Sequence, residues 1–304
     1  MNDEHTIELI NTLTTIVNEV SQGDFRNAAV LFEFTKTDKY PPQIAILAES
    51  FGMMIVKIDA KQQHLEHVID DLSAKKVELE QVASQLLRAN TGMLEVLGSA
   101  IAKRDSDTSA HNYRVTIHAI QLGKSLGFSN TELCSLIKGS FLHDVGKIAI
   151  SDSILLKPGK LTCDEFEVMK THVIHGSEII RNYEWLRDAD DVVLHHHEKF
   201  NGSGYPHGLK WDQIPINARI FALADVFDAL TSKRPYKEPI PVDKSMAIMS
   251  GDAGTHFDPD LFRVFSEGAA EVYENLVSIN EKALIENLHA YMRDYYATEL
   301  IPHS

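Results

Sequence analysis

The sequence predicts an all-α protein. Apolar residues recur at helical spacing along most of its 304 residues, a seven-residue repeat runs through 61–101, and the N-terminal region does not alternate strands with helices. Residues 1–60 read as a small helical region of unknown role. Ile7, Leu9, Ile10, Leu13, Ile16 and Val17 form one helical face, Gly23-Asp24 and Tyr40-Pro41-Pro42 break the pattern, and 44–58 reads as a second helix. In 61–101, Leu65, Leu72, Leu79, Leu86 and Met93 lie seven apart, with Val68, Val82, Ala89 and Val96 filling most partner positions and Lys75 interrupting them. A heptad held this long predicts a coiled coil, most simply a parallel homodimer; a long amphipathic helix lying on its own domain is the other reading. Residues 102–267 read as a compact helical domain with helices over 113–127, 130–143, 164–183, 188–199, 216–231 and 242–250, and 268–304 as two further helices without assigned chemistry.

Composition narrows the function. A net charge of −15 argues against general affinity for nucleic acid or anionic membrane surfaces. No apolar run approaches the ~20 residues of a membrane helix, and the acidic, polar N-terminus does not read as a signal peptide. The two cysteines, Cys134 and Cys163, form neither a disulfide framework nor a CxxC motif, which suits a reducing, cytoplasmic compartment. There is no Rossmann fingerprint and no P-loop.

The chemistry lies in histidines and carboxylates: His111, His143-Asp144, His172, His196-His197 and Asp225. Seven nitrogen and oxygen donors without a cysteine suit a multinuclear site for Fe, Mn, Zn, Ni or Co rather than a structural zinc knot. Neighbours on a helix diverge by about 100°, so His143 and Asp144 do not readily chelate one ion, but the carboxylate can span two. Gly146 permits a tight turn and Lys147 can reach a phosphate; a helix C-cap with a solvent-facing Lys is the plainer reading. His195-His196-His197-Glu198 follows Val192-Val193-Leu194, a density of imidazole that suits metal binding better than a purely structural role. In the Asn201 to Pro206 loop, Tyr205 can stack on a ligand base. Asp107 and His111, four apart, share one face if helical, although Asp107 also suits an N-cap. Asp225 is the expected ligand of Ala224-Asp-Val-Phe-Asp-Ala-Leu230, and Asp228 the residue that orients a histidine or caps backbone. Arg234-Pro-Tyr-Lys237 offers two cations for a phosphate or a guanine edge, or a solvated loop.

Taken in order, these motifs resemble the HD-GYP family of bacterial cyclic-dinucleotide phosphodiesterases over about residues 92–267. The resemblance rests on His143-Asp-x-x-Gly-Lys147, Met169-Lys-Thr-His172, His196-His-Glu-x-x-x-Gly-x-Gly-Tyr-Pro206, Ala224 to Leu230, Arg234 to Lys237 and Gly254-Thr-His-Phe-Asp-Pro259. It implies an all-helical catalytic domain holding two or three divalent metals, iron or manganese. His111, His143, Asp144 and Asp225 match the ligands of one metal and His172, His196 and His197 those of the second, with Asp144 bridging. Asp107 stands where some members place a glutamate for a third. Lys147 matches a phosphate contact, and Tyr205, Arg234 and Lys237 match dinucleotide contacts; Asp144 and Lys147 are the expected catalytic residues. The implied reaction is hydrolysis of cyclic di-GMP to pGpG or GMP by a metal-bridging hydroxide. Two other readings are a catalytically silent cyclic di-GMP receptor and a hydrolase of another cyclic dinucleotide such as cyclic GMP-AMP. Leu47 to Lys57 is similar to linkers of bacterial signalling proteins, which points to an upstream signalling partner.

Overall fold

The computed structural model of the chain describes residues 2–104, 109–233 and 238–300, and every regular element among them is helical, as the apolar spacing predicts. The chain divides into two compact units, 1–82 and 83–304. In the first, α1 (Asn2–Ser21) ends before Gly23, whose φ of 82° is the left-handed conformation glycine accepts most readily. Leu9 and Ile16 of α1, Leu31 and Phe34 of a 3-10 stretch (Ala28–Thr35), and Ile44, Ala48 and Ile55 at the start of α2 (Pro42–Arg104) form its core.

Helix α2 runs unbroken for 63 residues, so the helices expected over 44–58 and 61–101 are one. No glycine or proline interrupts residues 53–91, and Gly52, Gly92 and Gly98 each cost the helix only about 1 kcal/mol. Its seven-spaced Leu65, Leu72, Leu79, Leu86 and Met93 are 55–69% exposed. No helix among the described residues is long and apolar enough to cross a membrane.

The second unit is built around α3 (Ser109–Ser125), in which Val115, Thr116, Ala119 and Ile120 are fully buried. One face of α3 (Tyr113, Ile117, Ile120) packs with Leu133, Ile137 and Phe141 of α4 (Asn130–Leu142) and with Leu288 and Tyr296 of α12 (Glu281–Leu300). The other face (Val115, Ala119, Leu122) packs with Phe221 and Phe227 of α9 (Ile216–Thr231) and with Leu261 and Phe265 of α11 (Pro259–Val277). The C-terminal helices thus share the core of the domain before them. The short helices α5 (Asp152–Leu155), α6 (Cys163–Lys170), α7 (His172–Ile180), α8 (Asp190–His195) and α10 (Val242–Gly251) complete the unit. Capping boxes start α4 (Ser129 with Glu132) and α6 (Thr162 with Glu165), and Asp258 with Pro259 starts α11; such caps contribute about 1 kcal/mol each.

Two expected helices differ. The one expected over 164–183 breaks at Thr171 into α6 and α7. There the His172 carbonyl lies so close to Gly146 that an added Cβ would meet it at 1.8 Å. The helix expected over 188–199 stops at His195, because the buried Glu198 carboxylate accepts from the backbone N–H of His207 (2.7 Å) and Leu209 (3.0 Å) and folds the chain back.

Candidate metal centre

Five segments bring the donors together. α3 supplies His111, the C-terminus of α4 supplies His143 and Asp144, the first residue of α7 is His172, and the turn after α8 carries His196 and His197; α9 adds Asp225. The carboxylate of Asp144 is central. Its Oδ2 lies 2.9 Å from His143 Nε2 and 2.8 Å from Lys147 Nζ, and its Oδ1 lies 3.5 Å from His172 Nε2 and 3.9 Å from His196 Nε2. Asp225 Oδ1 lies 3.4 Å from His111 Nε2. His172, His196 and His197 form a cluster whose ligand atoms all fall within 4.8 Å of one another.

What sets this cluster apart is the far side of each ring. His143 Nδ1 donates to Ser140 O (2.8 Å), His172 Nδ1 to Met169 O (2.7 Å), and His196 Nδ1 to Val192 O (3.1 Å) and Val193 O (3.2 Å). His111 Nδ1 donates to Asp228 Oδ2 (2.7 Å), and Arg114 and Ser232 hold that carboxylate in place. Occupying Nδ1 leaves Nε2 as the ring nitrogen turned toward the site, and in all four rings that atom faces a carboxylate of the cluster. Backbone carbonyls and a buried carboxylate therefore fix the tautomer and the aim of the rings. An all-nitrogen-and-oxygen set so oriented fits divalent Fe, Mn, Zn, Ni or Co.

Protons and a metal cation compete for these nitrogens: His172, His196 and His197 are held neutral, whereas His111 and His143 attract a proton that a metal would displace. Burial pushes His172 down; burial together with neighbouring imidazoles pushes His197 well down and His196 to about 3, so these rings are neutral. Burial opposes the charged form of His111 too, but Asp225 and Asp228 outweigh it and raise its pKa to about 10; Asp144 likewise raises His143. Burial would raise the carboxyl of Asp144, yet the charges on His143 and Lys147 hold it well below the usual range, and His111 does the same for Asp225. Two ionised carboxylates among imidazole nitrogens favour a cation.

Tyr205 borders the cluster, its ring 4.7 Å from that of His197 and 6.5 Å from that of His172. The tight return of the loop accounts for the glycine before it: a Cβ on Gly204 would lie 2.4 Å from Lys199 N. The structure thus gathers His111, His143, Asp144, Lys147, His172, His196, His197, Tyr205 and Asp225. Three expected site residues, Asp107, Arg234 and Lys237, lie outside the described residues. His175 is not part of the cluster and faces Glu178 (3.3 Å). Sequence reasoning named Glu198 without a role and missed Arg114 and Arg104. Only Glu198 left a signal, as a carboxylate beside the histidine run that is not itself a ligand.

The HD domain family model matches residues 95–261, a span that contains every candidate ligand from His111 to Asp225. The 3′3′-cGAMP-specific phosphodiesterase 2 of Vibrio cholerae is 42% identical over 250 residues, 82% of this chain and 47% of that protein. The cyclic di-GMP phosphodiesterase response regulator RpfG of Xanthomonas campestris is 44% identical over 181 residues, 59% of this chain and 48% of that protein. A cyclic di-GMP phosphodiesterase of Thermotoga maritima is 38% identical over 182 residues, 59% and 50% of the two chains. The chain spans about half the length of these curated relatives.

Proposed function

The chain belongs to the HD domain family, in its HD-GYP branch, and from that premise we propose that it is a metal-dependent phosphodiesterase that hydrolyses cyclic di-GMP to pGpG or GMP. The observation that carries this reading is the aim of four imidazole Nε2 atoms at two ionised carboxylates, each ring locked through Nδ1. His111, His143 and Asp225 would hold one metal and His172, His196 and His197 a second, with Asp144 between them; iron and manganese suit the donors. Such ions, when bound, generate hydroxide from water near neutral pH and neutralise charge on a phosphoryl group.

The side chains do the rest. Asp144 anchors the Lys147 ammonium at 2.8 Å, where it offers N–H donors to a phosphoryl oxygen as negative charge builds there. Tyr205 is partly open beside His197 and gives a base a face to stack on. Arg234 and Lys237 are proposed to hold the second half of the dinucleotide, and Asp107 a third metal, which would favour GMP over pGpG as the end product. The exposed heptad face of α2 is proposed to pair two copies in a parallel coiled coil that receives a signal from an upstream protein.

A second reading is favoured by one observation: the relative matched over 82% of this chain is named for 3′3′-cGAMP. Both substrates share the phosphodiester and differ in one base, so the metal residues do not separate them. The test is anaerobically purified, metal-quantified protein given equimolar cyclic di-GMP, 3′3′-cGAMP and cyclic di-AMP, with products followed by chromatography. Preferential loss of cyclic di-GMP supports the first reading, and preferential loss of 3′3′-cGAMP the second. Survival of all three by fully loaded protein contradicts both.

A further inference from the structure

Arg104, in the last turn of α2, grips the segment that carries Lys147. Its Nη1 donates to the carbonyls of Lys147 (2.9 Å) and Ile148 (2.7 Å), and its Nη2 to the carbonyl of Ile150 (2.7 Å) and to Asp152 Oδ1 (2.9 Å). One planar guanidinium thus fixes three backbone carbonyls within four residues. This is a use of the fork that a lysine, with one nitrogen, does not reproduce.

The gripped segment is the 3-10 turn Val145–Ala149, which starts from Asp144. Lys147 N donates back to Asp144 O (2.9 Å), and Ile150 N donates to Lys147 O (3.1 Å), the same carbonyl Arg104 holds. On its other side the turn lies against α7. A Cβ on Gly146 would meet His172 O at 1.8 Å and Gly176 N at 2.4 Å. The turn is therefore held between Arg104 and the backbone at the ligand His172. Its lysine turns back to Asp144, the residue from which the turn starts and the central carboxylate of the cluster.

We propose that Arg104 is a positioning residue that sets the place of the Lys147 ammonium from the end of α2, so that displacement of that helix end moves Lys147 relative to Asp144. This rests on the phosphodiesterase reading above. Nothing local marks Arg104 for the task, since its acceptors lie 43 to 48 residues away in sequence.

The test is a double-mutant cycle on the full-length, metal-loaded protein with Arg104→Ala, Arg104→Lys, Lys147→Ala and Arg104→Ala/Lys147→Ala. Arg104→Ala is expected to lower kcat roughly tenfold to a hundredfold, with KM, bound metal and melting temperature near wild type. Arg104→Lys should recover part of that loss. In the Lys147→Ala background, removing Arg104 should cost less than about twofold. Amide hydrogen exchange over 145–150, which needs no turnover, should quicken in Arg104→Ala with exchange at 192–197 unchanged. Additive losses, a wild-type kcat for Arg104→Ala, or unchanged exchange over 145–150 overturns the proposal. A wild-type protein that cuts no cyclic dinucleotide while 145–150 still loosens removes the phosphodiesterase reading instead, and with it the catalytic role of the grip.

Discussion

The carboxylate of Asp228 lies 2.7 Å from Nδ1 of His111, so one buried aspartate determines which nitrogen of that histidine is free to bind a cation. The same carboxylate takes Arg114 Nε at 2.5 Å and Nη2 at 3.0 Å. Asp228→Asn keeps the shape and removes the charge that orients His111 and raises its basicity. Metal affinity is expected to fall about tenfold to a hundredfold with the fold retained. Metal titration followed by elemental analysis checks this; an unchanged affinity would show that the contact is structural alone.

Gly146 is the point of closest backbone approach between the Lys147 turn and α7. A methyl group there must displace the carbonyl of His172, so Gly146→Ala is expected to destabilise the second unit by about 2 kcal/mol or more. At about 2–4 °C per kcal/mol for a unit of this size, thermal melting reads the loss, and bound metal should fall with it. Gly268→Ala, at a glycine with open space around its Cβ position, is the control and should melt no lower than about 1 °C below wild type.

His118 is buried against Phe227 and Phe265, with no hydrogen-bond partner for Nδ1. Burial pushes its pKa from 6.5 to about 4. The unfolded chain therefore takes up this proton first as pH falls. The stability tied to neutral His118 is full above the unfolded pKa and drains away between about pH 6.5 and pH 4. By about pH 5 the loss amounts to roughly 2 kcal/mol. Denaturant unfolding near neutral pH and near pH 5 should show a steeper fall for wild type than for His118→Gln; equal slopes would mean that His118 is solvated or charged in the fold.

The clustering of these side chains was legible because imidazoles and carboxylates crowded beside apolar helix segments are costly to bury without partners, as with His195 to Glu198 after Val192-Val193-Leu194. The contact of Asp228 with a histidine was legible for the same reason, since a carboxylate among Ala, Val, Phe and Leu must have a partner. The grips of Arg104 and Arg114 were not legible, because each joins residues far apart in sequence and leaves no periodic trace. The pairing of His289 with Glu95, 194 residues apart, was hidden in the same way. The break at Thr171 carries neither proline nor glycine; it follows from the packing of α7 on Gly146, which only the assembled fold contains.

The exposed leucines of α2 supply a separate test. If two copies pair through Leu65, Leu72, Leu79 and Leu86, Leu72→Glu/Leu79→Glu should convert a dimer to a monomer in sedimentation equilibrium while bound metal stays near wild type. A wild-type monomer at micromolar concentration, or a dimer that survives both charges, would contradict pairing through that face.

The decisive measurement is end-product chromatography of cyclic di-GMP incubated with anaerobically purified protein of known metal content, beside His143→Ala and Asp144→Ala. Wild-type protein carrying at least two metals per chain is expected to yield pGpG or GMP, and the two variants to lose both metal and turnover. Intact cyclic di-GMP with full metal loading, or a His143→Ala protein that keeps metal and activity, would contradict the assignment of a metal-dependent cyclic di-GMP phosphodiesterase.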